Sequence, residues 1–265
     1  MPTPIYHADR VRSAFHLRYT WTGWPASGSL FPAVPDGGIF EALDETWATD
    51  QLKRISTRWD ADQIQFGFST VPTVSPTLFV ARVKGRLQHV LRQAGSPMKF
   101  SRKVAFRAVG KNRRAEVINY VLQQVDKDSF VDPDFEAMLR RFTVLDEGVA
   151  LAEPSESNSG RYWYNLHLTL VVADRARLRR ETDFEKLDRM VLATATKHEY
   201  RLAARAWMPD HLHLALRGNI AESPAEIALA FMNNTEYAMG QNAIWQNGFY
   251  AGTFSEYDVR ALGDD

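Results

Sequence analysis

The sequence predicts an α+β fold of two tandem ferredoxin-like (split βαβ) domains, each an antiparallel sheet with helices on one face. Two observations predict it. A shift of 148 positions lays Trp59-Asp60-Ala61-Asp62-Gln63-Ile64-Gln65-Phe66 over Trp207-Met208-Pro209-Asp210-His211-Leu212-His213-Leu214, so that Trp59 meets Trp207, Asp62 meets Asp210 and Ser75-Pro76 meets Ser223-Pro224. Around both windows the hydrophobic period changes between two and 3.6 in a matching, βαββαβ-like order.

In the first half, alternation predicts a strand over 15–22, a helix within 39–58 and a strand over 63–70. Ser75 followed by Pro76 is a helix start, with a helix over 76–93, then a strand over 104–109 and a helix over 113–125. The second half gives a strand over 163–172, a helix over 184–200 and strands over 201–207 and 211–217 on either side of a Pro-Asp turn. Ser223-Pro224 then starts a helix over 224–239, before a strand over 249–254. Between the halves, residues 145–160 contain Glu-Pro-Ser-Glu-Ser-Asn-Ser-Gly, a polar, turn-rich linker. The expected domains are therefore 1–144 and 161–265, joined by 145–160.

With 265 residues, 45% hydrophobic and 12% aromatic, the chain can bury substantial cores. It has no cysteine, which excludes disulfides, thiolate metal sites and cysteine nucleophiles. No run approaches the roughly 18 apolar residues of a membrane span, and the first residues lack an apolar signal segment, so the expected location is cytoplasmic, associated with the nucleoid. The net charge is zero but segregated: no acid lies between Gln63 and Ala115, where Arg82, Arg86, Lys103, Arg107, Arg113 and Arg114 are candidate phosphate contacts. Trp21, Trp24, Tyr162, Trp163 and Trp245 are candidate stacking platforms.

His211-Leu212-His213 on a strand aims two imidazoles at one face and buries the leucine. Two neutral imidazoles are half of a metal site. Asp210 either orients one of them or closes the turn before the strand. The first half has Gln63-Ile64-Gln65 at this place, and amides are poor ligands beside imidazoles. His16 and His167 fall on matching first strands, and these two, with His7, His89 and His198, read as structural.

Met208-Pro209-Asp210-His211-Leu212-His213 after the strand over 201–207 resembles the HUH single-tyrosine transposases, including the insertion-sequence and REP-associated tyrosine transposases. In the first half, Arg113-Arg114-Ala115-Glu116-Val117-Ile118-Asn119-Tyr120-Val121-Leu122-Gln123-Gln124 resembles that family's tyrosine helix, with Tyr120 and Gln124 four apart on one face. Matching Trp245 to Phe100 places Tyr120 opposite Asp265, so the second half is expected to have a truncated tyrosine helix, with Tyr250 and Tyr257 structural.

The resemblance implies a single-stranded DNA nuclease and strand-transferase, a transposase or a host-adopted derivative, working through a 5′-phosphotyrosine intermediate. Tyr120 is then the nucleophile, and His211, His213 and Gln124 hold a divalent Mg or Mn ion. One half supplies the His pair and the other the tyrosine, as in a fused homodimer, so a monomer acting as an internal pseudo-dimer is expected. The partner is single-stranded DNA, including hairpin-bearing strands, with no membrane. The alternative is a catalytically inactive single-stranded DNA or RNA binding protein on the same sheets. A metal hydrolase using the His pair with Asp210 is a third reading, short of ligands.

Overall fold

The computed structural model describes residues 4–240 and 243–256. Among them the fold is α+β, with two six-stranded sheets. The chain begins with β1 (Arg12–His16) and β2 (Arg18–Pro25), then α1 (Gly37–Thr49), β3 (Leu52–Trp59), β4 (Ile64–Thr70), α2 (Pro76–Gln93) and β5 (Phe100–Val109). There follow α3 (Arg114–Leu122), α4 (Gln124–Lys127), α5 (Pro133–Arg141), β6 (Thr143–Leu145), β7 (Ser155–Ser157), β8 (Gly160–Trp163) and β9 (Asn165–Val172). The chain continues through α6 (Glu181–Lys197), β10 (Arg201–Met208), β11 (His211–Arg217), α7 (Pro224–Ala238) and β12 (Trp245–Thr253).

The first sheet runs β3-β4-β2-β5-β8-β7 and the second β10-β11-β9-β12-β1 with β6 outside β10. In both, the central pairs are antiparallel, and one outer strand pairs in parallel: β8 with β5, and β1 with β12. β1 leads directly into β2 yet sits in the second sheet, and β8 leads into β9 yet sits in the first. The segment 145–160 accordingly holds the end of β6, all of β7 and the first residue of β8, and carries the chain from one sheet to the other.

Helices α1 and α2 pack on one face of the first sheet, and α6 and α7 on one face of the second. One apolar core joins the halves, with Phe66, Phe79 and Phe106 from the first and Leu168, Phe184 and Phe231 from the second fully buried. Two reciprocal backbone bonds cross between them: Thr77 N–H donates to the Ile220 carbonyl at 3.1 Å, and Ala225 N–H to the Pro72 carbonyl at 2.9 Å. Each residue pair is the other shifted by 148 positions, the pattern of a self-complementary interface.

The Ser75 and Ser223 hydroxyls cap α2 and α7 as expected, each accepting from a backbone N–H three residues on. The helix expected within 39–58 is shorter. It ends at Thr49, Gln51 turns the backbone at φ 62°, and Leu52–Trp59 forms β3. Lys53-Arg54-Ile55-Ser56-Thr57-Arg58 has the half-exposed, alternating, β-branched character of an outer strand, and the Arg54 guanidinium ties it back to Asp44 on α1. The strand expected over 15–22 is divided at Leu17, where the chain changes sheet. The helix expected over 113–125 breaks at Gln123 into α3 and α4. Among the described residues, no helix is long and apolar enough to cross a membrane.

Candidate active site

Small residues decide where the tyrosine helix rests. Ala204 and Ala206 on β10 and Ala215 on β11 form a shallow seat on the second sheet, filled by Val117 and Val121 of α3 with Phe254 and Leu151. The helix thus leaves the first sheet through β5 and lies on the face of the second that α6 and α7 leave open. Its N-terminus is anchored there: Arg114 N–H donates to the Ser255 carbonyl at 2.7 Å, and the Glu116 carboxylate accepts from Arg113 N–H at 2.7 Å. At Gly110, before the helix, a Cβ would collide with the Thr253 carbonyl, so this close crossing requires glycine.

Strand register brings the polar residues to the same face. Tyr250, Thr169, His213 and Ala206 lie in one row across β12, β9, β11 and β10. One step along, His167 lies between Ala215 and Gly252, two small neighbours that leave room for its ring. The result is a pocket of about 770 Å³ lined by Tyr120 and Gln124 together with His167, Thr169, His211, His213 and Tyr250. The Tyr120 ring meets His213 edge-on at 5.5 Å between centroids and His167 at 5.7 Å. The Lys127 ammonium lies 3.7 Å from the centre of the Tyr120 ring.

Each imidazole of the pair has one nitrogen engaged. His211 Nδ1 is 2.7 Å from Asp210 Oδ1, and Asp210 is held by Arg175 at 2.9 Å. Although burial opposes it, the Arg175 and His211 contacts keep the Asp210 carboxyl below its ordinary range. Asp210 therefore both closes the turn and orients the ring. His213 Nδ1 lies 3.0 Å from Thr169 Oγ1 and 3.1 Å from His167 Nε2. Burial pushes His167 down to about 4 and His213 down to about 2, the latter helped by the positive charge that would face it from His167, His211 and Lys127. Both rings are neutral near pH 7 and retain lone pairs. Gln124 Nε2 donates to the Tyr120 carbonyl at 2.6 Å, which leaves Oε1 as its acceptor end. Burial and the neighbouring Tyr120 raise the Tyr250 phenol.

Tyr120, Gln124, His211 and His213, singled out in the sequence, share this pocket. The basic candidates are dispersed. Arg82 and Arg86 on α2 are both paired with Asp50 in the helical layer, and Arg114 is paired with Glu256. Arg113 sits at the start of α3, while Lys103 and Arg107 line a separate groove on the first sheet. Trp21, Tyr162 and Trp245, expected as stacking platforms, are instead core residues, because they alternate onto the helix-covered faces. Trp24 and Trp163 lie on the open face of the first sheet. Tyr257 lies outside the described residues.

His167, expected to be structural, lines the pocket instead, and Thr169, Arg175 and Lys127 join it there without any motif that marks them in the sequence. His16 is not the counterpart of His167: it ends β1 and pairs with Gly252, whereas β2 is the strand that matches β9. A signal was present in His167-Leu168-Thr169, whose period-two polarity mirrors His211-Leu212-His213 on the adjoining strand.

No curated protein matches the chain in sequence. Among solved structures, the regulatory subunit of aspartate kinase from Thermus thermophilus (ligand free form) is similar at 11% identity over 84% of this chain and 93% of its own, with a TM-score of 0.20, too loose a superposition to bear on fold or function. Residues 161–263 match the model of the family described as "Transposase IS200 like". That region, which contains the His211-Leu212-His213 strand, is therefore similar to the IS200-like transposases.

Proposed function

We propose that this protein is a metal-dependent single-stranded DNA nuclease and strand-transferase with one composite site, in which the first half supplies Tyr120 and Gln124 and the second supplies His211 and His213. The observation that carries it is the edge-on approach of the Tyr120 ring to His213 across the two halves. Matched strand order and the reciprocal Thr77–Ile220 and Ala225–Pro72 bonds support reading the chain as a fused pseudo-dimer, divided near 145–160 and working as a monomer.

In the proposed reaction the Tyr120 phenolate oxygen attacks a backbone phosphorus and the P–O3′ bond breaks. The products are a 5′-phosphotyrosine and a 3′-OH, which takes up a proton and can later reverse the step on another strand end. A free phenol ionises only at about pH 10, so charge on the phosphate must be offset. Among the described residues, no cluster of three or more His, Asp and Glu stands in ligating geometry. His211 Nε2, His213 Nε2 and Gln124 Oε1 would be the donors for a divalent Mg or Mn ion, since Asp210 engages the other ring nitrogen of His211, and Thr169 and His167 that of His213. A divalent ion held there would polarise the phosphate.

The convergence of Tyr120 on the His pair favours cleavage over the alternative of a catalytically inactive single-strand binding protein. The test is incubation with a single-stranded oligonucleotide and Mn²⁺ or Mg²⁺, followed by denaturing electrophoresis. A denaturant-resistant adduct on the 5′ phosphate supports the reading, and its absence with both metals and with hairpin-bearing strands rejects it.

A further inference from the structure

We infer that the open face of the first sheet, where the pseudo-symmetric active site would stand, is a second and non-cleaving binding site for single-stranded DNA. The proposal rests on DNA being the partner but not on cleavage at Tyr120.

Register identifies the place. Thr22 pairs with Gln65 as Thr169 pairs with His213, and the same side-chain bond survives: Gln65 Nε2 donates to Thr22 Oγ1 at 3.1 Å. Thr20 stands two residues earlier, where the second sheet has His167. Every imidazole position is thus taken by an amide or a hydroxyl, and α3 rests on the other sheet. No described helix packs on this face.

What replaces the catalytic groups has the chemistry of a strand-binding groove. A cavity of about 500 Å³ is lined by Trp24, Trp163, Lys103, Arg107 and Arg161, with Glu156 as its one acid among the described residues. That volume falls within the roughly 300–1,000 Å³ of small-ligand sites, enough for a nucleotide. The Arg107 guanidinium lies 3.9 Å from the centre of the Trp163 ring, and the Trp163 indole N–H donates to the Ala152 carbonyl at 2.7 Å, which fixes the ring. Trp24 is 37% exposed and lines the same groove. Arg161 is partly neutralised by Glu156 at 3.2 Å, so Lys103, exposed and without a carboxylate partner among the described residues, is the principal phosphate contact. Rings present flat faces to unstacked bases, cations track the backbone, and the Gln63 and Gln65 amides can bond base edges. A duplex offers no such base face. A strand held here and at the cleavage site would be tethered at two points, raising its local concentration at Tyr120.

The test measures fluorescence anisotropy of a 5′-labelled dT20 and of a 20-base-pair duplex at fixed salt, on the whole protein and on Lys103→Glu and Trp163→Leu. Each variant is expected to weaken dT20 binding about tenfold, Lys103→Glu with a salt dependence shallower by about one ion. Trp163→Leu risks the packing around its ring, whereas Lys103→Glu alters an exposed side chain and stands as the test if the first misfolds. Parent-like dT20 affinity in Lys103→Glu, or a duplex that binds as tightly as dT20, overturns the groove. A normal Tyr120 adduct beside unchanged binding rejects the groove alone. Weakened binding in a protein that forms no adduct rejects only the cleavage reading.

Discussion

His167 Nε2 lies 3.1 Å from His213 Nδ1, with the two rings stacked at 5.2 Å between centroids. That contact ties the His pair to the strand beside it. It also places a third imidazole against the Tyr120 ring, so the surroundings of Tyr120 come from three strands and two helices rather than from one motif.

Tyr120→Phe should abolish the covalent DNA adduct with little change in stability, since it removes one oxygen from a ring that is 45% exposed. Tyr250→Phe tests the neighbouring phenol, which lines the same pocket. It should keep the adduct, as should Tyr257→Phe. Peptide mapping that finds the nucleotide on Tyr250 or Tyr257 would reject the split site.

Asp210→Ala should weaken Mn²⁺ binding by about 10- to 100-fold in a calorimetric titration, because it frees the His211 ring that Asp210 orients. His211→Ala and His213→Ala should remove binding altogether. His213→Ala should also cost about 1–3 kcal/mol of stability, since it opens space beneath Tyr120 and leaves buried partners unsatisfied. Mn²⁺ affinity in the double variant equal to that of the parent would place the ion elsewhere.

The buried histidines predict an acid-sensitive fold. Burial lowers His167 to about 4, against about 6.5 in an unfolded chain. Between these values the unfolded state binds more protons, so this stability is fully present above about pH 6.5 and is lost as pH falls toward 4. At pH 5 the loss from His167 is about 2 kcal/mol. Urea unfolding in chelator at pH 7 and pH 5 should show it, and His167→Gln, which cannot be charged, should flatten the difference. Equal pH dependence in the two proteins would mean that His167 is not the group responsible.

The parts of this fold legible in the sequence are those in which one residue dictates local geometry. Ser75-Pro76 and Ser223-Pro224 fix helix starts, the Pro-Asp turn fixes a hairpin, and His-Leu-His fixes which side chains share a face. What escaped was set by distant partners. β3 follows α1 after a turn at Gln51 that no Gly or Pro marks, its strand pattern being completed by pairing with β4, and β1 and β8 cross into the opposite sheets through bonds that no local period encodes. The same holds within the site. His211, His213, Tyr120 and Gln124 carry motif spacing, whereas His167 becomes part of it through the register of β9 against β11.

The alanine seat under α3 gives the last prediction. Ala204 is buried beneath Val117 and Val121, and Ala204→Leu adds volume between helix and sheet. Overpacking should cost about 1–3 kcal/mol, and the helix should yield before the sheet, which is held by ladder bonds on both sides of β10. Lifting α3 moves Tyr120 relative to the His pair, and a displacement of about 1 Å can cost on the order of a hundredfold in rate. Ala228→Leu on α7 provides the comparison, since Ala228 is equally buried but lies on the opposite side of the second sheet. Both variants should lose similar stability in denaturant unfolding, while only Ala204→Leu should lose adduct formation about a hundredfold at saturating oligonucleotide. Equal loss of rate in the two would attribute the effect to general destabilisation and remove the argument that α3 is positioned by its seat.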